Sequence, residues 1–192
     1  MRPINIKNDN IDFCMASAQK GLMAMTGISF VVGKRTIIEQ SKTYPKRSYY
    51  CNLYMQYHYF EAHGEMHFTP PVQTVYAMRQ AIKEYFAEGE QKKWERHTRV
   101  FEALHKGIER LGFQDMIKRD WQAGLVVTVK YPDDPNWSFS AIHDYCYKRG
   151  FTIYPGKINN TETFRLCALG AIDQSDICLL YTSDAADDRI SV

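Results

Sequence analysis

The stretch Ile11-Asp12-Phe13-Cys14-Met15-Ala16-Ser17-Ala18-Gln19-Lys20-Gly21 decides the fold, and Lys20 is its most informative residue. The mostly apolar run from Ile11 to Met15 predicts a buried strand of a parallel or mixed sheet. A lysine directly after such a strand is poorly placed for ordinary solvation, and its small neighbours leave room for a planar molecule. A neutral lysine amine can condense with an aldehyde. The alternative is a solvated loop lysine, which is the commonest role of this residue type.

Composition describes an ordinary globular chain and argues against several classes of partner. Of the 192 residues, 45% are apolar and 24% are charged, enough to bury the core of one domain or one and a half. The 24 basic and 22 acidic side chains nearly balance, which predicts no nucleic-acid partner. No signal peptide or membrane-spanning apolar run is visible, which predicts no membrane partner. Five cysteines without metal-type spacing favour a reducing, cytoplasmic compartment.

The order of predicted elements indicates an α/β chain. The first part is predicted to form a strand, a turn and a strand, followed by a brief helix over 36–43. Thr69 is interpreted as a helix cap, because two prolines and a helical apolar period follow it. From there helices alternate with short strands, which is typical of a small α/β domain. The predicted strands are 11–16, 28–32, 125–130, 151–154 and 163–168, and the longer predicted helices are 70–88, 91–111 and 139–148.

Aromatic side chains concentrate between Tyr44 and Phe68. We interpret this stretch as core or subunit interface, and the alternative is a frame around the mouth of an active site. His58, His63 and His67 fall in or beside it without a cysteine or carboxylate at zinc spacing. The sequence therefore predicts no metal site.

Three further segments combine with the Lys20 stretch into one pattern. They are Phe68-Thr69-Pro70-Pro71, Gly150-Phe151-Thr152-Ile153-Tyr154-Pro155-Gly156-Lys157 and Thr163-Phe164-Arg165-Leu166. Together the four segments resemble the class-V, fold-type I pyridoxal-phosphate aminotransferases. The nearest branch contains the phosphonate transaminases and the alanine–glyoxylate or serine–pyruvate aminotransferases. The resemblance extends over roughly residues 3 to 177. Gln19 and the stretch Leu22-Met23-Ala24-Met25 differ from the commonest phosphonate-transaminase pattern, so the resemblance identifies the family more firmly than the substrate.

The resemblance implies a role for each of four residues. Lys20 would be the catalytic residue and the covalent anchor of pyridoxal 5′-phosphate, with Gln19 beside it in the cofactor site. Thr69 would contact the cofactor phosphate of the other subunit in a homodimer, and from the residues alone it is equally a helix cap. Arg165 would clamp the anionic end of the substrate, whereas the residues alone favour an internal salt bridge for a guanidinium in a strand.

The resemblance implies an activity as well. It implies transamination of 2-aminoethylphosphonate with pyruvate, and the partners would be a small anionic amino substrate and a 2-oxo acid. One alternative is alanine–glyoxylate or serine–pyruvate transamination. Another is a non-catalytic α/β interaction domain in which Lys20 and Arg165 are structural.

The domain organisation is predicted from the same resemblance. Residues 1–68 would be the C-terminal part of a large cofactor-binding domain with the interdomain segment, and 69–177 a small C-terminal α/β domain. Residues 178–192 break the apolar period and resemble a translated sequencing adapter, so we expect them to be foreign to the family. The family's acidic partner of the pyridine nitrogen, its ring-stacking aromatic residue and its main phosphate loop precede Lys20. We therefore expect a C-terminal fragment that is inactive alone.

Overall fold

The computed structural model describes residues 4–156 and 161–185, with side chains described as far as Tyr181. Contacts divide them into two compact units, a first unit of Ile4–Ala87 and a second unit from Glu88 onward. The predicted domain boundary after residue 68 stays a prediction about the complete protein. None of the helices in the described residues is both long enough and apolar enough to cross a bilayer.

The first unit begins with a β-hairpin. Strand β1 (Phe13–Ser17) pairs antiparallel with β2 (Ser29–Gly33). The sequence predicted a buried strand of a parallel or mixed sheet, and this prediction is wrong for the described chain. The sheet has only two strands, which is too small to bury both faces of β1. Met15 in β1 is accordingly 76% exposed. The strands themselves lie where they were predicted, within two residues.

Three helices follow the hairpin in the first unit. They are α1 (Arg35–Gln40), extended by a 3₁₀ turn, α2 (Leu53–His63) and α3 (Val72–Glu88). Helix α2 was not predicted; the Asn52 side chain caps it by accepting from the Met55 amide at 2.9 Å. Helix α3 begins at Val72, so Thr69 lies before the helix and is not its cap.

The aromatic stretch before and within α2 is largely exposed in the first unit. Tyr49 is 70% exposed and Tyr50 is 65% exposed. The interpretation of this stretch as core is therefore wrong for the described chain. Its interpretation as a subunit interface or as the frame of a site mouth stays a prediction.

The second unit is a three-stranded antiparallel sheet packed against helices. Its elements are α4 (Glu90–Arg110), β3 (Val126–Lys130), α5 (Phe139–Lys148), β4 (Tyr154–Pro155), β5 (Thr163–Cys167) and α6 (Gln174–Ala185). The strand order is β3-β5-β4. The core combines α4 with one face of the sheet and includes Val100, Leu104, Ile108, Val127, Val129, Phe164 and Leu166. This mixed α/β architecture confirms the predicted fold class.

Helix α6 continues beyond the predicted break of the apolar period at residue 178. Leu180 and Tyr181 are both buried in the core of the second unit. The Tyr181 hydroxyl donates to the carbonyl of Leu104 at 3.1 Å, and the ring lies where a side chain at Gly107 would stand. The foreign origin of residues 178–192 stays a prediction, and 186–192 lie outside the described residues.

Candidate active site

Lys20 lies in a compact turn that follows β1. The amide of Lys20 donates to the carbonyl of Ser17 at 3.4 Å, and the Lys20 carbonyl accepts from Met23 at 3.0 Å. The amide of Ala24 donates to Ala18 at 3.1 Å, which closes the turn. Met23 takes a left-handed conformation with φ of 59°, which is uncommon for a residue with a side chain. These bonds fix the backbone that carries the lysine.

The Lys20 side chain is exposed, and its amine has no partner within the described residues. The sequence predicted poor solvation at this position, and the exposed side chain corrects that prediction. The physical reason is the hairpin: β1 has one neighbouring strand here, so the turn at its end faces solvent. An unpaired amine on a fixed turn remains chemically accessible to an aldehyde.

Gln19 carries an orphaned polar atom beside this lysine. Its Oε1 is buried, and no donor reaches it within the described residues. A buried acceptor without a donor costs about 1–3 kcal/mol, so such an atom marks a position that a polar ligand could complete. The Lys20 amine could condense with the aldehyde of pyridoxal phosphate, and the Gln19 Oε1 could accept a hydrogen bond from an O–H or N–H group of the same ligand.

Thr69 lies in the first unit together with Lys20 and Gln19. Its side chain is exposed and precedes α3, and its hydroxyl makes no hydrogen bond within the described residues. A Cβ placed on Gly27, in the β1–β2 connection, would lie 3.5 Å from Thr74 Cγ2 in the first turn of α3. The β1–β2 connection therefore lies beside the first turn of the helix that follows Thr69.

Arg165 lies in the second unit, at the centre of the three-stranded sheet. Its Nε donates to the carbonyl of Pro155 at 3.2 Å. It forms no ion pair with a carboxylate of the described residues, so the internal salt bridge considered from the sequence is not seen there. The terminal nitrogens of the guanidinium are left to bind an anion.

Sequence reasoning missed a polar network that fastens α4 to the segment after β5. Arg96 Nη1 donates to the carbonyls of Gly170 at 3.0 Å and Ile172 at 3.1 Å. Its Nε donates to Glu88 at 2.7 Å, and this hydrogen bond lowers the pKa of the Glu88 carboxyl. His97 Nδ1 lies 2.7 Å from the carbonyl oxygen of Ala168, and burial lowers the pKa of this imidazole. The network holds the chain immediately beyond the strand that carries Arg165.

The described residues contain no group of three or more histidine, cysteine or carboxylate side chains arranged to hold a metal ion. His67 instead packs among rings, 4.8 Å from Tyr59 and 4.4 Å from Phe68 between ring centres.

Known proteins resemble the chain in sequence and in fold. The sequence profile described as aminotransferase class-V matches residues 1–156. A 2-aminoethylphosphonate–pyruvate transaminase of Paraburkholderia xenovorans is 34% identical over 91% of this chain and 47% of its own length. One from Vibrio vulnificus is 33% identical over 91% of this chain and 48% of its own length. The chain thus spans about half the length of the curated relatives it matches.

Solved structures show the same fold. The alanine–glyoxylate aminotransferase of Nostoc has a TM-score of 0.80 at 21% identity, over 94% of this chain and 49% of its own. The pyridoxamine–pyruvate aminotransferase of Mesorhizobium loti has a TM-score of 0.81 at 18% identity, over 97% of this chain and 50% of its own. The profile match and the sequence relatives together establish that this chain belongs to the class-V aminotransferase family.

Proposed function

We propose that the complete protein transfers the amino group of 2-aminoethylphosphonate to pyruvate, giving phosphonoacetaldehyde and alanine. The observation that carries this proposal is the similarity, over 91% of the chain, to curated proteins named for that reaction. Their identity of 34% supports the choice of substrate less strongly than it supports the family. The accessible Lys20 amine on its fixed turn supports the chemistry.

Pyridoxal phosphate is the cofactor of this family and supplies the reactive aldehyde and an electron-accepting ring. Lys20 would hold this group through its amine. Once free, the same amine would move a proton from the substrate carbon, as general base and then general acid. Gln19 would help to hold the cofactor from the adjacent position, because its buried Oε1 has no donor within the described residues and could accept one from the cofactor.

Thr69 and Arg165 bind the two anions in this proposal. The Thr69 hydroxyl would donate to the phosphate of the cofactor held by the partner subunit. Arg165 holds the anionic end of the substrate through two parallel N–H donors, which fixes its orientation as well as its charge. The complete protein would be a homodimer of the cytoplasm, and the exposed aromatic side chains near Tyr49 would lie at its interface.

The direct test is an assay of the complete protein with 2-aminoethylphosphonate and pyruvate, following phosphonoacetaldehyde and alanine. We expect the parent protein to turn over these substrates and Lys20→Ala to abolish turnover. The control Lys42→Ala, at an exposed lysine of the same unit, should leave turnover unchanged. Faster turnover with alanine and glyoxylate, or with serine and pyruvate, would assign the protein to the other branch of the family.

A separate experiment tests the alternative that this protein is a non-catalytic interaction domain. Pyridoxal phosphate added to the complete protein should give an absorbance band of bound cofactor that is absent in Lys20→Ala. A spectrum that this substitution leaves unchanged would support the non-catalytic interpretation, in which Lys20 is structural.

A further inference from the structure

We propose that a row of three side chains across the sheet of the second unit binds the tetrahedral –PO₃ end of the amino substrate, and that it binds this group more tightly than a carboxylate. The row consists of Thr128, Arg165 and Tyr154 and is called the anion row below. The inference rests on the proposed function and adds to it the residues that set specificity.

The strand register places these three side chains side by side. Thr128 of β3 is the direct partner of Arg165 of β5, and Tyr154 of β4 is its direct partner on the other edge. Residues directly opposite each other in antiparallel strands project from the same face, with Cβ atoms about 4.5–5.5 Å apart. The Arg165 side chain therefore lies between those of Thr128 and Tyr154 on this face.

The opposite face of this sheet packs into the core of the second unit. Val127, Val129, Phe164 and Leu166 are all buried, and they alternate along their strands with the members of the row. The row thus stands on the face away from the core, where Tyr154 is 52% exposed and Arg165 is partly exposed. The row is therefore at least partly accessible to solvent.

The charge of this face matches a dianion. Lys130 lies two residues beyond Thr128 on β3 and projects from the same face as the row. Strands β3, β4 and β5 contain no acidic residue. The face therefore presents two cations to an incoming group, and a phosphonate carries up to two negative charges where a carboxylate carries one.

Hydrogen-bond capacity distinguishes a phosphonate from a carboxylate at this row. The Arg165 Nε is engaged by the Pro155 carbonyl at 3.2 Å, which orients the guanidinium and leaves its terminal nitrogens for two oxygens of an anion. These nitrogens would use both oxygens of a carboxylate, whereas a phosphonate keeps a third oxygen that can accept further hydrogen bonds. The hydroxyls of Thr128 and Tyr154 make no hydrogen bond within the described residues, so each can donate to it.

The test titrates the isotopically labelled 192-residue chain with methylphosphonate, acetate and methanesulfonate, following chemical shifts of the Arg165 side chain and of the three strands. Methanesulfonate is tetrahedral with one charge and separates shape from charge. We expect methylphosphonate to bind at least tenfold more tightly than acetate. Tyr154→Phe and Thr128→Val should each weaken methylphosphonate about five- to tenfold and change acetate less than twofold. Tyr76→Phe, an exposed tyrosine of the first unit, should change neither.

Several outcomes would overturn the proposal. These are equal binding of methylphosphonate and acetate, absence of binding, shifts that map away from the row, or hydroxyl variants that weaken both anions alike. Methyl phosphate carries the same tetrahedral dianion, and if it bound more tightly than methylphosphonate, the row would be a phosphate-monoester site instead. This titration needs no cofactor, so its result is independent of whether Lys20 anchors pyridoxal phosphate.

Discussion

The imidazole of His97, in the middle of α4, lies 2.7 Å from the carbonyl oxygen of Ala168, directly after β5. Because a carbonyl only accepts, Nδ1 must carry the proton of the neutral ring and donate it. His97 has no exposed surface, and its Nε2 has no partner within the described residues. The strand that carries Arg165 is therefore fastened at its end by a histidine that has to stay neutral.

This histidine predicts a pH dependence of folding. Burial lowers the pKa of His97 in the folded state below its unfolded value of about 6.5. The unfolded chain then binds more protons than the folded chain as the pH falls from about 6.5, so the free energy of unfolding decreases in that range. We expect urea unfolding followed at pH 7.5, 6.5 and 5.5 to show this loss.

The matched variants assign that pH dependence to one residue. His97→Asn keeps a donor near the position of Nδ1 without a titrating group, and it should flatten the slope between pH 7.5 and 5.5. His63→Asn, at an exposed histidine, should leave the slope as in the parent chain. An undiminished slope in His97→Asn would show that another group titrates.

Arg96 is predicted to be the main support of the segment after β5. Arg96→Met would leave the carbonyls of Gly170 and Ile172 without their donor and Glu88 without its closest cation. We expect a loss of about 2–4 kcal/mol in the free energy of unfolding. Hydrogen exchange should accelerate in residues 168–173. The control Arg99→Met removes an exposed arginine of the same helix and should stay within about 0.5 kcal/mol. Equal losses in the two variants would contradict the assignment.

Gly107 and Tyr181 are predicted to be energetically coupled. A glycine-to-alanine change inside an exposed helix ordinarily stabilises it by about 0.5–1 kcal/mol. At Gly107 the added Cβ would collide with the Tyr181 ring, so we expect a loss of about 1–3 kcal/mol instead. In a Tyr181→Ala background the same change should become neutral or stabilising.

The sign of the Gly107→Ala effect also bears on the end of the chain. A gain in stability in the parent background would mean that Tyr181 does not pack against α4. Residues from 178 onward would then make no contribution to the core, as expected of a foreign extension. A loss that Tyr181→Ala relieves would show that α6 docks, whatever the origin of its sequence.

Periodic elements with clear end signals could be predicted from the sequence. Helix α5 was predicted over 139–148 and has those bounds, because its apolar spacing is regular and Gly150, with φ of 86°, follows it. Helix α2 was missed because its aromatic residues surround the helix and give no apolar face. The prediction that β1 is a buried strand of a parallel or mixed sheet was wrong for the described chain, because an apolar run specifies neither the number nor the direction of its neighbouring strands.

The candidate site was predictable only where one residue stood out against its surroundings. Lys20 and Arg165 were singled out because a charged side chain beside or within an apolar strand is unusual. Thr128 and Tyr154 were not, because their position beside Arg165 depends on the register of three strands. His97 was missed because its partner, Ala168, is 71 residues away in the chain.

The most direct test of the account is reduction of the complete protein with borohydride in the presence of one equivalent of pyridoxal phosphate, followed by peptide mapping. The account predicts a pyridoxyl adduct on the peptide that contains Lys20, and no adduct in Lys20→Arg, which keeps the charge but cannot react with the aldehyde. An adduct on another lysine, or none, would contradict the claim that Lys20 anchors the cofactor.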